Sequence, residues 1–151
     1  MNDEDYMEIA LNEAKQTFDK GNYPAGCVIV KSGEIISKTQ GSNITSKDST
    51  AHGEIKAIHL ACKKLGSRHL EGCVIYSNAE PCLMCAQAII YARIKLVVYG
   101  IEHGEYGKRK TFDILKENNI GKDIEVVGGV KREEAEKLLK DFLKKVSVKE
   151  F

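Results

Sequence analysis

Two short clusters in this 151-residue chain carry residue types that bind metal and move protons: His52-Gly53-Glu54 and Pro81-Cys82-Leu83-Met84-Cys85. Cys82 and Cys85 are two residues apart. In the first turn of a helix that spacing can turn both sulfurs toward one point, and the positive end of the helix dipole favours thiolate over thiol. A neutral His52 at a second helix start can supply a third ligand, and thiolate with imidazole suits tetrahedral zinc. A CxxC pair alone is weak evidence, because redox pairs and structural zinc sites use it too. The redox reading places the pair after a strand in a thioredoxin-like unit and leaves the preceding His-x-Glu unexplained. Ligand count then decides what the metal does. A structural site closes with four protein ligands, whereas a catalytic one keeps a position for water. The two clusters supply three, so the expected cofactor is one Zn2+ per subunit, completed by water. Glu54, two residues past His52, is placed to take a proton from that water without ligating the metal. The competing reading is a closed structural site completed by Cys62, Cys73 or His59.

The elements that must position these clusters follow from the spacing of apolar residues. Met7, Ala10, Leu11, Ala14 and Phe18 predict a helix over 3–20, stopped by Gly21-Asn22-Tyr23-Pro24. A strand over 27–30 turns at Ser32-Gly33 into a second over 34–39. After a polar loop, a helix is expected over 51–65 with Ile55, Ile58 and Ala61 or Cys62 inward. A strand at 74–77 leads to a helix with Pro81 in its first turn, running to about Ala92. A strand at 96–100, a short helix at 111–118, a strand at 124–127 and an amphipathic helix at 133–146 complete the chain. In that last helix Leu138, Leu139 and Phe142 form the apolar stripe. This order predicts the α/β class, with a mixed five-stranded sheet covered by helices on both faces. No repeat, low-complexity stretch or linker interrupts it, so residues 1–151 read as a single domain. Ligands in such layered folds collect where strands hand over to helices, and both clusters sit at predicted helix starts.

Composition narrows the setting. Apolar residues make up 42% and charged residues 30%, with a formal net charge of +1, an ordinary globular balance. The basic excess typical of a general nucleic-acid-binding domain is missing. No apolar run is long enough to span a membrane, and the acidic, polar start is unlike a secretory signal. Five cysteines, an odd number, without such a signal point to a reducing compartment, and the expected location is cytoplasmic.

His-x-Glu followed by Pro-Cys-x-x-Cys is the known signature of zinc nucleobase deaminases, matched here as a pattern. At these residues, and from the strand Pro24-Ala25-Gly26-Cys27-Val28-Ile29-Val30 through to the final helix, the chain resembles the cytidine deaminase-like superfamily. The resemblance implies a three-layer αβα sandwich, a homodimer, zinc on His52, Cys82 and Cys85, and proton transfer by Glu54 as water displaces ammonia from a base. It also implies a base contact for Asn43. Within the superfamily the details divide. Ala61-Cys62-Lys63-Lys64-Leu65-Gly66, Glu80 before Pro81, Ala92-Arg93, and Glu102-His103 with Phe112-Asp113 resemble guanine deaminase. His52-Gly53-Glu54 resembles fungal cytosine deaminase. Gly128-Gly129-Val130 through Leu138-Leu139 to Phe142-Leu143 resembles tRNA adenosine deaminase. The loop after the fourth strand lacks the small-residue run of the tRNA enzymes, and the charge balance offers little for phosphate. A free nucleobase or nucleoside is therefore the expected substrate, guanine slightly ahead of cytosine. Adenosine-to-inosine deamination in tRNA is the alternative, and a non-catalytic zinc-stabilised module is a third reading.

Four further residues are candidate substrate contacts, each with a plainer role beside it. Asn43 touches the base or serves as a turn residue. Glu80 sits beside the exocyclic amine or caps a helix start. His103 and Asp113 reach the pocket, or are a solvated loop histidine and a helix-start carboxylate. At the terminus, Glu150 and Phe151 close the pocket by stacking, or end the chain as a frayed tail. Cys27, Cys62 and Cys73 flank apolar runs and read as small buried hydrophobes.

Overall fold

The computed structural model describes residues 1–102 and 109–145. Helix α1 (Asp3–Asp19) opens on a capping box in which Asn2 accepts from the Asp5 N–H and Asp5 accepts from the Asn2 N–H. Two amide donors that a helix start leaves orphaned are thereby satisfied. Strands β1 (Gly26–Lys31) and β2 (Glu34–Gln40) pair antiparallel through Ser32 and Gly33, both at positive φ (49° and 78°). That is the hairpin turn whose twist matches the flanking strands. Helix α2 (Gly53–Leu65) ends at Gly66 in the left-handed conformation, a common helix stop. Then follow β3 (Cys73–Ala79), α3 (Leu83–Tyr91), β4 (Leu96–Ile101), α4 (Thr111–Glu117), β5 (Glu125–Val127) and α5 (Arg132–Lys145).

The sheet order is β2-β1-β3-β4-β5, with β1 antiparallel to both neighbours and β3, β4 and β5 parallel. Alternation along the strands divides the core in two. Cys27, Ile29, Ile75 and Val97 pack with Ala57, Ala61, Ala86, Ile89 and Phe112 of α2, α3 and α4. Val28, Val30, Tyr76 and Val98 pack with Met7, Leu11, Ala135 and Leu138 of α1 and α5. The result is the mixed five-stranded αβα sandwich. Gly26 fixes the fit of one layer. A Cβ there would lie 1.9 Å from the Ala10 carbonyl oxygen and 2.6 Å from the Ala14 nitrogen, so α1 crosses β1 at a distance only glycine permits.

Two helices begin two residues later than the sequence predicts. Helix α2 starts at Gly53, leaving His52 as N-cap, and α3 starts at Leu83, which places Pro81 before the helix. The inward face of α2 is Gly53, Glu54, Ala57 and Ala61, with Ile55 and Ile58 half-buried instead. Small side chains let the helix lie close on the sheet, and the isoleucines fall to its flanks. Strand β3 runs on to Ala79, which draws Asn78 into the sheet. Because β2 and β3 both run opposite to β1, they finish at the same edge. The loop into α2 and the turn into α3 meet there. Among the described residues no helix is long and apolar enough to cross a membrane.

Candidate metal centre

His52 is the N-cap of α2 and Cys82 the N-cap of α3, and neither side chain caps its own helix. Both have extended ψ (149° and 173°), as N-cap residues do, and their side chains meet between the two helix starts. Cys85, three residues into α3, joins them. His52 Nδ1 is 3.6 Å from Cys82 Sγ and 3.5 Å from Cys85 Sγ. Zinc bonds of about 2.3 Å to sulfur and about 2.0 Å to nitrogen, meeting at a tetrahedral angle, set nitrogen and sulfur about 3.5 Å apart. The three donors therefore fit zinc in both type and spacing. Among the described residues they are the one group of three or more such side chains with ligand atoms all within 4.8 Å of one another. Cys62, Cys73 and His59 do not belong to it. Cys73 lies in the core against α2, and Cys62 packs beside it.

The Cys82 and Cys85 sulfurs are coupled to one another. A hydrogen bond from Cys85, helped by His52, holds Cys82 down to about 4. The same bond, together with burial and the Glu54 carboxylate, pushes Cys85 up. Zinc held by both sulfurs would displace the proton they share. All five cysteines are free thiols, and burial holds the Cys27 thiol well above its ordinary value.

Glu54, the second residue of α2, is buried beside this cluster. Its Oε1 accepts a 2.7 Å hydrogen bond from the buried Ser77 hydroxyl of β3, and its carboxylate also faces Cys85. Thus two helix starts bring the ligands, and the central strand holds the carboxylate.

Asn43 lies half-buried on the loop from Gln40 to α2, and its side-chain amide makes no hydrogen bond within the described residues. That loop is braced from three sides by groups the sequence reading did not single out. From α1, Thr17 Oγ1 donates to the Gly41 carbonyl at 2.5 Å. The buried Asn22 side chain donates to Thr17 and Thr45 and accepts from the Thr45 N–H. From α2, Lys56 Nζ donates to the Gln40 carbonyl at 3.1 Å and to Ser42 Oγ at 2.7 Å. From β3, Asn78 accepts from the Gly26 N–H at 2.7 Å and donates to the Pro24 carbonyl at 2.6 Å. The Ala25 carbonyl between those two groups accepts from the Gly41 N–H. The available signal was polarity at Ser77 and Asn78 in a central strand, where buried polar groups must find partners.

The remaining candidates divide. Glu80 is buried, and its Oε2 accepts from the Thr111 N–H at 2.9 Å. It caps α4, not the helix that follows it in sequence. Asp113 is exposed in the first turn of α4. His103, Glu150 and Phe151 lie outside the described residues.

Comparison with known proteins agrees with this geometry. A family model for the cytidine and deoxycytidylate deaminase zinc-binding region matches residues 1–101. A tRNA-specific adenosine deaminase of Aquifex aeolicus is 42% identical over 149 residues, 97% of each chain. A guanine deaminase of Bacillus subtilis is 40% identical over 126 residues, 83% of this chain and 81% of the relative. A solved structure from work on A-to-I editing by tRNA:A34 deaminases at the wobble position of transfer RNA superposes with a TM-score of 0.79 at 32% identity. It covers 89% of this chain and 98% of the other. With its metal-type donors and buried carboxylate at two converging helix starts, the chain belongs to the cytidine and deoxycytidylate deaminase zinc-binding family.

Proposed function

We propose that residues 1–151 form one domain that deaminates adenosine in tRNA, with zinc held by His52, Cys82 and Cys85 and Glu54 as proton carrier. The observation that carries the hydrolytic reading is the triangle of three donors with a buried carboxylate beside it. Zinc held there supplies acidity, making water a usable nucleophile near neutral pH. Glu54 accepts the proton that the attacking water gives up, passes one to the ring nitrogen, and helps the amine leave as ammonia. Asn43, on the braced loop beside His52, is the proposed base contact.

The choice of RNA rests on the relatives. Local motifs ranked a free base first, but the match to the Aquifex tRNA enzyme extends over 97% of both chains, against 83% of this chain for guanine deaminase. A net charge of +1 counts the whole chain and does not describe one face of it. Helix α5 exposes Lys137, Lys140, Lys144 and Lys145, of which Lys137 pairs with Asp141, Lys140 pairs with Glu136 and Lys145 lies over the Phe18 ring, so charge on this helix does not decide the substrate. Guanine deamination is the second reading, favoured by the Bacillus relative. The homodimer is supported by the exposed side chains Leu60, Met84 and Tyr91 on α2 and α3. Sedimentation as a monomer at micromolar concentration would remove it.

The test is ammonia release by zinc-loaded protein from an anticodon stem-loop RNA with adenosine at the wobble position, beside free guanine, cytosine, adenine and their nucleosides. Turnover is expected on the RNA, and Glu54→Gln should lower it by about 10²- to 10⁴-fold while zinc stays bound. Release from guanine with silence on RNA selects the second reading. Near-normal turnover by Glu54→Gln removes the carboxylate from the mechanism. Silence across the panel leaves a zinc-stabilised module.

A further inference from the structure

We propose that Ser77 is a positioning residue that holds Glu54 by one oxygen and thereby assigns proton transfer to the other. This inference rests on the reading of Glu54 as the proton carrier. The Ser77 hydroxyl donates to Glu54 Oε1 at 2.7 Å, with Ser77 1% and Glu54 6% exposed. A hydroxyl donating to a carboxylate in such surroundings makes a strong, directional bond. Both ends are fixed. Glu54 stands in the first turn of α2, and Ser77 lies on the central strand, opposite Cys27 of β1 and Tyr99 of β4.

The terminal torsion of a glutamate is broad and nearly two-fold, so backbone placement alone does not fix the plane in which the carboxylate presents its free oxygen. Ser77 decides it. The proton from water goes to Oε2 and leaves from Oε2. Throughout, Oε1 accepts the Ser77 hydrogen, first as part of a carboxylate and then as the carbonyl oxygen of the neutral acid. The Ser77 proton itself never leaves the hydroxyl. The carboxylate therefore returns to the same orientation after each transfer.

Ser77→Thr keeps the hydroxyl, whereas Ser77→Val has nearly the same shape without it. Both are measured as zinc-loaded, full-length protein on the substrate that releases ammonia in the panel above. Ser77→Thr should stay within about threefold of the parent kcat, and Ser77→Val should lose about tenfold or more, the scale of a lost bond to a charged group. KM and zinc content should be unchanged in both. Ser77→Ala removes the donor without adding volume and should lose a similar factor, which covers a packing failure in the valine variant. In metal-free protein, the infrared carboxylate stretch that Glu54→Gln abolishes should shift in Ser77→Val and stay in place in Ser77→Thr. Adding Ser77→Val to Glu54→Gln should cost nothing further. Equal kcat for valine and threonine, or losses confined to KM or zinc content, overturns the role of Ser77 while Glu54 stands. Near-normal turnover by Glu54→Gln alone removes the underlying reading instead.

Discussion

Asn78→Ala should weaken both the fold and the approach to the metal centre, through a single side chain. Asn78 is 3% exposed and satisfies two backbone groups at once, the Gly26 N–H and the Pro24 carbonyl. Its orientation follows from those partners, because only the amide oxygen can accept from an N–H. Alanine leaves one donor and one acceptor without their partner, and each buried unsatisfied group costs about 1–3 kcal/mol. A total loss of about 2–6 kcal/mol is expected, a large part of the roughly 5–15 kcal/mol that holds a domain folded. In urea, with a slope of about 2 kcal/mol per molar, the midpoint should fall by about 1–3 M at unchanged slope. The segment freed by the substitution also carries the Ala25 carbonyl, which accepts from the Gly41 N–H at the base of the Asn43 loop. KM should therefore rise in the folded variant. Asn78→Asp provides the control. It keeps the acceptor for Gly26 but sets a carboxylate against the Pro24 carbonyl, so it should recover little of the loss. A midpoint shift below about 0.3 M for alanine, or full recovery by aspartate, refutes the two-sided clamp.

Two further outcomes follow from the same geometry. Lys56→Ala should raise KM by about tenfold or less with kcat nearly kept, since it removes the two bonds that tie α2 to Gln40 and Ser42. Steady-state kinetics check this, and a fall in kcat with KM unchanged contradicts it. Glu102 accepts from Arg132 and from the Tyr99 hydroxyl, and the guanidinium holds its carboxyl down to about 2, below its ordinary 4.5. A depressed carboxylate contributes stability that is present above its unfolded value and lost as pH falls through its folded one. The urea midpoint of Glu102→Gln should therefore lie below the parent's at neutral pH, and the gap should close between about pH 4.5 and 2. A gap constant across that window contradicts the assignment.

The cluster of His52, Cys82 and Cys85 with Glu54 could be picked out in the sequence because each pair lies within about one helical turn. The bracing groups could not, because their partners are distant in the chain. Glu80 shows the difference. Its neighbours in sequence suggest a cap for α3, yet it reaches the amide of Thr111, brought near by the parallel pairing of β3 with β4. Asn78 escaped for a related reason. The strand was expected to stop at Ser77, although the sheet carries it to Ala79 and so gives Asn78 a place inside. The layers and the five strands followed from alternation of apolar residues, which sums over many positions and tolerates errors of one or two at the ends, whereas the strand order came only with the structure. Helix starts did not follow from alternation, since a helix can begin at any residue able to take an extended conformation. His52 and Cys82 took that place. Substrate preference was hardest to read, because short motifs from three relatives pointed three ways.

The bond from Thr17 to Gly41, with those of Asn22 just past the helix to Thr45, makes α1 a mechanical anchor for the loop that carries Asn43. The same helix lies on β1 at Gly26, so the loop and the sheet share one support. His52, Cys82 and Cys85 stand at the starts of α2 and α3, which pack on the opposite face of the sheet. A molecule tethered to a surface or fused to a rigid neighbour at Met1 is therefore held by the same helix that braces the Asn43 loop.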